Sequence, residues 1–230
     1  MIRVGSITDM KALKPKKRED KKNMTPEEEL KAIYESSRSL SVKMGECFKK
    51  IEDELVSKDI FHARIKDLSK EDRKYLEKYF INYIEPVLSP QIIDPHHPFP
   101  HLENKGLYVA VLLKNKKDKS LTFGIVPIPK KAERITLLLS DNKSYVLLEE
   151  IVLEYVHKVF DQYQIGDKAV ISVIRNADIA FEGIDYDEDE DLSDAMKKLL
   201  KKRQRLAPVL LKIEGKLDKR MVDFLKEHLH

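Results

Sequence analysis

Asp94, His96, His97 and His101 crowd one short stretch of the chain, and imidazole with carboxylate is the usual non-thiol ligand set for a transition metal. The chain leading to His101 reads PVLSPQIIDPHHPFP from Pro86 to Pro100, with five prolines. A stiff, extended backbone splays successive side chains rather than converging them on one ion, so a structural proline corner is expected there and no metal. Asp185, Asp187 and Asp189 imitate positions 1, 3 and 5 of a calcium loop. Glu190 then stands where the loop needs Gly, and Met196 where it needs a bidentate Glu, so the acidic run is read as the start of a solvated helix, with Lys197 to Arg203 at its basic end. A nucleophile elbow would need G-x-S-x-G, which is absent, and Cys47 falls on the apolar side of a helical stretch, where a thiol packs rather than reacts. The closest glycines of the seven, Gly166 and Gly183, are 17 residues apart. That spacing excludes the glycine-rich loops that cradle phosphates. Lys14 to Lys22 form a basic loop able to attract a polyanion or simply to keep the chain soluble.

The composition bounds what could position such groups. The chain has 230 residues, 43 Lys and Arg against 40 Asp and Glu, and is 42% apolar and 36% charged. Such a chain can bury one core or two small ones. No stretch approaches a membrane-spanning segment, and the first residues lack the apolar core of a signal peptide. With Cys47 alone no intrachain disulfide can form, which points to a reducing, cytoplasmic compartment, with peripheral membrane association as a secondary location. A net charge of +3 argues against a dedicated nucleic-acid binder.

Thr25-Pro26-Glu27-Glu28 is a helix start: a capping hydroxyl, a proline at the first helical position and a Glu three residues on. Apolar residues then recur at three and four from Leu30 to Leu55, predicting a helix of about thirty residues, roughly 45 Å long at 1.5 Å per residue. A stripe that long needs a partner. Ser69 starts a second helix, which Pro86 is expected to stop. Beyond the proline stretch, short apolar runs at 107–113, 121–126, 135–139, 170–174 and 209–213 predict strands, and helices are expected over 148–160, about 192–202 and 218–229. The fold class is therefore α+β, a helical N-terminal segment (1–63) followed by a mixed-sheet α+β domain (64–230).

Several segments, taken together and in order, resemble bacterial polyphosphate kinase of the first family. Tyr79-Phe80, Ile84 to Pro90 and Asp94 to Pro100 resemble its "yF...i.PvLtP...D..hPFP" stretch. Ile128-Pro129 with Arg134 is similar to its "vP....pRf" segment, Leu147 to Val152 to its "LEdii" helix start, and Ile174 to Ile179 to its "tRnaDl". The opening Ile2-Arg3-Val4-Gly5-Ser6 is similar to the residues just after the family's "SNLDEFFM".

The resemblance implies the second part of a helical N-terminal domain followed by the head domain, in a family about three times this length. It implies that both catalytic domains, with their phosphohistidine, arginine pair and magnesium contacts, lie outside these residues. None of His62, His96, His97, His101, His157, His228 and His230 falls in the phosphohistidine motif, and no catalytic residue carries over. An ATP-contacting Asn would fall just before Met1, which suggests a chain starting within a domain. ATP, polyphosphate and magnesium are implied for the full-length enzyme and no cofactor for this chain. An architectural role in dimerisation and in walling a polyphosphate tunnel is implied too. Arg3, Arg134 and Arg175 are the cations expected to face substrate or a partner domain, an Arg–carboxylate tie being the alternative for each. The long helix is expected to expose an apolar stripe that self-association would cover. A stand-alone module binding an acidic partner is the rival reading.

Overall fold

A computed structural model describes residues 2–13, 23–94, 97–176, 207–215 and 217–229. The basic loop, the acidic run and the expected helix at about 192–202 lie outside them. Two compact units divide the chain: Met1–Phe48 with Val173–Leu211 and His230, and Lys49–Ser172 with Lys212–Leu229.

In the first unit, helix α1 (Ile2–Leu13) was not foreseen from the sequence. Its Val4 and Ile7 pack with Leu30 and Ile33 of α2 (Pro26–Val56) and with Val209. The start of α2 forms as its sequence demands. The Thr25 amide donates to Glu28 Oε2 at 2.8 Å and the Glu28 amide to Thr25 Oγ1 at 3.3 Å, so two amides at the helix start gain reciprocal acceptors. Further along, Leu40, Met44, Phe48 and Ile51 are exposed, as expected of a stripe lacking its partner. Cys47 is exposed as well, contrary to its expected packing, because the face it occupies is uncovered.

The second unit begins with β1 (Phe61–His62) and a 3-10 turn at Ile65–Asp67, then α3 (Lys70–Tyr79). Ser69 caps α3, accepting from the Asp72 amide at 3.1 Å and donating to Asp72 Oδ2 at 2.7 Å. Pro86 does not end this helix as expected. The chain first widens into a π turn, Phe80–Ile84, and then tightens into a 3-10 turn, Glu85–Val87, whose opening residues tolerate a proline without an N–H. That change of pitch leaves Phe80 and Ile84 both in the core.

The remaining strands are β2 (Gln91–Ile93), β3 (Leu107–Asn115), β4 (Leu121–Pro127), β5 (Ile135–Leu137), β6 (Ser144–Leu147), β7 (Tyr163–Arg175) and β8 (Pro208–Glu214). The larger sheet has the order β2-β4-β3-β7-β8, and the smaller the order β1-β6-β5. The smaller is mixed, with β1 parallel and β5 antiparallel to β6. In the larger, β2 and β3 both run antiparallel to β4, and β3 antiparallel to β7. β3 sits centrally, which is why LYVAVLL reads as a nearly continuous apolar run: Val109, Ala110, Val111 and Leu113 are all buried. β7 starts earlier than its apolar run at 170–174. Its polar first half still pairs with the end of β3, Gln164 opposite Lys114, across a register shift between Val111 and Leu113.

Helix α4 (Leu148–Val159) buries Ile151, Val152, Tyr155 and Val156 in a core shared with Leu76 and Phe80. The last helix, α5 (Lys219–His228), is capped by Asp218 and buries Met221 and Leu225. The α+β class expected from the sequence is the class observed.

Candidate functional site

The two described residues that flank 95–96 are bridged to each other. Asp94 and His97 exchange backbone hydrogen bonds at 3.1 Å each, while Asp94 Oδ1 accepts from the His97 amide at 2.8 Å and lies 3.0 Å from His97 Nδ1. Carboxylate and imidazole are thus engaged with each other. His96 lies outside the described residues. Among the described residues, no three or more His, Cys, Asp or Glu side chains converge as a metal site would require.

Two of the family-like segments line one cleft of about 310 Å³, in which Val87 and Ser89 of the proline stretch face Pro129 and Lys130 beside Gly106 and Tyr108. The cleft is closely fitted. A Cβ on Gly106 would stand 2.7 Å from the Tyr108 ring, and the Tyr108 hydroxyl accepts from the Glu103 amide at 2.7 Å. Lys130 pairs with Glu103 at its rim.

Arg134 lies between this cleft loop and β5, its carbonyl accepting from the Leu148 amide at 2.8 Å at the mouth of α4. Its Nε lies 2.9 Å from Glu149 Oε1 and 3.2 Å from Oε2, and Nη2 also donates to Oε1. Glu149 is 3% exposed, whereas the Arg134 side chain is 61% exposed. The hydrogen bonds to Glu149 raise the guanidinium pKa further above its ordinary value, against the opposing effect of burial. Sequence reasoning named Arg134 but missed Glu149. The available signal was an acidic residue in the first turn of α4, where the helix dipole favours a carboxylate.

Arg175 ends β7 and is buried. The next residue, Asn176, donates its amide to the Ala207 carbonyl at 2.9 Å. Gly5 of α1 rests directly against the Asn176 carboxamide, and any Cβ at position 5 would overlap it. The first unit therefore joins two stretches far apart in sequence, at Gly5 and at Asn176, both within family-like segments. Arg3 stands in the first turn of α1, and its side chain lies outside the described set. Arg3 and Arg175 belong to the first unit and Arg134 to the second.

A further cluster had no sequence signal. His62 lies between Glu52, with Nδ1 3.0 Å from Oε1, and Glu150, with Nε2 3.0 Å from Oε2. The three positions share no periodicity, and β1 is too short to announce itself.

Architecture and local geometry define the class as an α+β module whose distinctive segments meet at fitted glycine contacts. Residues 71–230 match the polyphosphate kinase middle domain. Polyphosphate kinase of Bacillus cereus is 33% identical over 238 residues, covering 100% of this chain and 33% of that protein. The Campylobacter jejuni enzyme of the same name is 31% identical over 207 residues, covering 90% of this chain and 29% of its own length. The crystal structure of polyphosphate kinase from Porphyromonas gingivalis superposes with a TM-score of 0.64 at 20% identity, over 99% of this chain and 31% of that one, a likeness of fold. The chain belongs to the polyphosphate kinase family and spans about a third of the length of the curated relatives it matches. Among the described residues no helix is long and apolar enough to cross a membrane.

Proposed function

We propose that these residues are the partial helical N-terminal domain (1–63) and the head domain (64–230) of a cytoplasmic ATP–polyphosphate phosphotransferase. Their role is architectural: they support dimerisation and help wall the tunnel that holds the polyanion. The observation that carries this reading is similarity to polyphosphate kinases along the entire chain at 33% identity. Phosphoryl transfer depends on positioning and on neutralising phosphate charge with magnesium and basic groups. ATP, magnesium and the phosphorylated histidine belong to the catalytic domains of the full-length enzyme. In this reading Arg3, Arg134 and Arg175 are the cations assigned to contact with substrate or a partner domain, and Glu149 steadies Arg134.

Titration with long-chain polyphosphate at two salt concentrations tests the tunnel role. Binding should weaken as salt rises and exceed that of DNA carrying equal charge. Equal binding to DNA would leave only nonspecific attraction. ATP-dependent polyphosphate synthesis by the 230 residues alone should be zero, and turnover would overturn the assignment.

A further inference from the structure

Helix α2 ends in an unfavourable way. Its closing residues include Glu52, Asp53 and Glu54, and its last turn carries no basic residue, so carboxylates sit at the negative end of the helix dipole. The missing cation comes from β1. His62 presents Nδ1 to Glu52 Oε1 at 3.0 Å and Nε2 to Glu150 Oε2 at 3.0 Å. The same Glu150 oxygen accepts from the Leu147 amide at 2.9 Å as part of the α4 cap. The imidazole also stacks on Tyr145 of β6, with centroids 5.0 Å apart and planes 8° from parallel.

Hydrogen-bond capacity decides the charge state. A neutral imidazole has one N–H and one lone pair, and an ionised carboxylate can only accept. With a carboxylate oxygen at each ring nitrogen, a neutral ring leaves one contact as lone pair against lone pair, whereas an imidazolium satisfies both. The two carboxylates approach opposite edges of the ring and so cannot close on one metal ion.

We infer that His62 is a proton-operated latch, which as imidazolium ties the C-terminal turns of α2 to the first turn of α4 and on losing its proton releases the α2 end. The groups that face it are Glu52 from α2, Glu150 from α4 and the Tyr145 phenol from β6. The phenol stays neutral, its pKa pushed up first by burial and then by the two glutamates. For His62, burial opposes the charge, but the hydrogen bonds to Glu150 and Glu52 together with their negative charges outweigh it and raise the pKa above 6.5. A group with a raised folded-state pKa stabilises fully below its unfolded value and loses that contribution as pH rises through the folded one. The latch is therefore closed on the acid side of the raised His62 pKa and opens as pH climbs through it.

The test is hydrogen exchange of residues 49–62 in the 230-residue chain between about pH 6 and pH 9, corrected for intrinsic exchange, alongside an NMR titration of His62. Exchange in this segment should accelerate about tenfold as His62 deprotonates, the loss of a charged hydrogen bond. Glu52→Gln should lower the His62 titration point and move the exchange transition to lower pH with it. His62→Gln should give fast exchange without a transition. If His62 titrates at or below the ordinary imidazole value, or if exchange stays flat while it titrates, there is no latch; the Glu52→Gln measurement decides this even if His62→Gln fails to fold.

Discussion

Helices α2 and α4 carry the same apolar period and meet opposite fates. In α4, Ile151, Val152 and Val156 are fully buried against sheet and helix. In α2, Leu40 and Met44 are 58% exposed and Phe48 is 52% exposed. Periodicity therefore reports which face a helix would bury, and not whether anything lies against that face. The curated relatives are about three times as long as this chain, so residues able to cover α2 need not belong to these 230.

That contrast can be broken most forcefully from the buried side. Phe80→Ala empties a fully buried site where the π turn meets α4 and should cost about 3–5 kcal/mol, with Ile151→Ala at about 2–5 kcal/mol. Denaturant unfolding measures both, and losses below about 1 kcal/mol would mean that the α4 face is looser than its burial indicates. Arg134→Ala strips the partner from a buried carboxylate and should cost about 1–3 kcal/mol, toward the lower figure because the guanidinium is largely exposed. Glu149→Gln in that background should recover part of the loss. Ser69→Ala removes the α3 cap at about 1 kcal/mol, read as a lower thermal midpoint. At the other extreme, Leu40→Lys with Met44→Lys should change stability by no more than about 0.5 kcal/mol. If self-association covers the stripe, the same pair should shift sedimentation toward monomer; an unchanged sedimentation profile would place the contact elsewhere.

Legibility depended on the reach of each signal. Capping chemistry is local, so Thr25 and Ser69 announced their helices and both caps are made. The central strands were equally plain, since burial on both faces turns a strand into an apolar run. Helix α1 was hidden because Val4 and Ile7 gain their meaning only from Leu30 and Val209, which are remote in sequence. Pro86 misled because its usual effect assumes an α pitch, and the chain had already left that pitch at Phe80. Arg134 was found through a family-like segment, while Glu149 and the His62 cluster needed the fold to bring strand and helix ends together.

The two partners of His62 also differ in when they become available during synthesis. Glu52 lies 10 residues before His62, and Glu150 lies 88 residues after it. At about 5–20 residues per second a ribosome needs roughly 4–18 s to make the intervening chain. Until then His62 can pair only with the acidic end of α2. Helix α2 is complete well before the element that anchors its end, and β1 must wait over the same interval for its parallel neighbour β6. The nascent chain thus carries a finished helix with one half of its fastening, and the fastening closes only after most of the second unit has been translated.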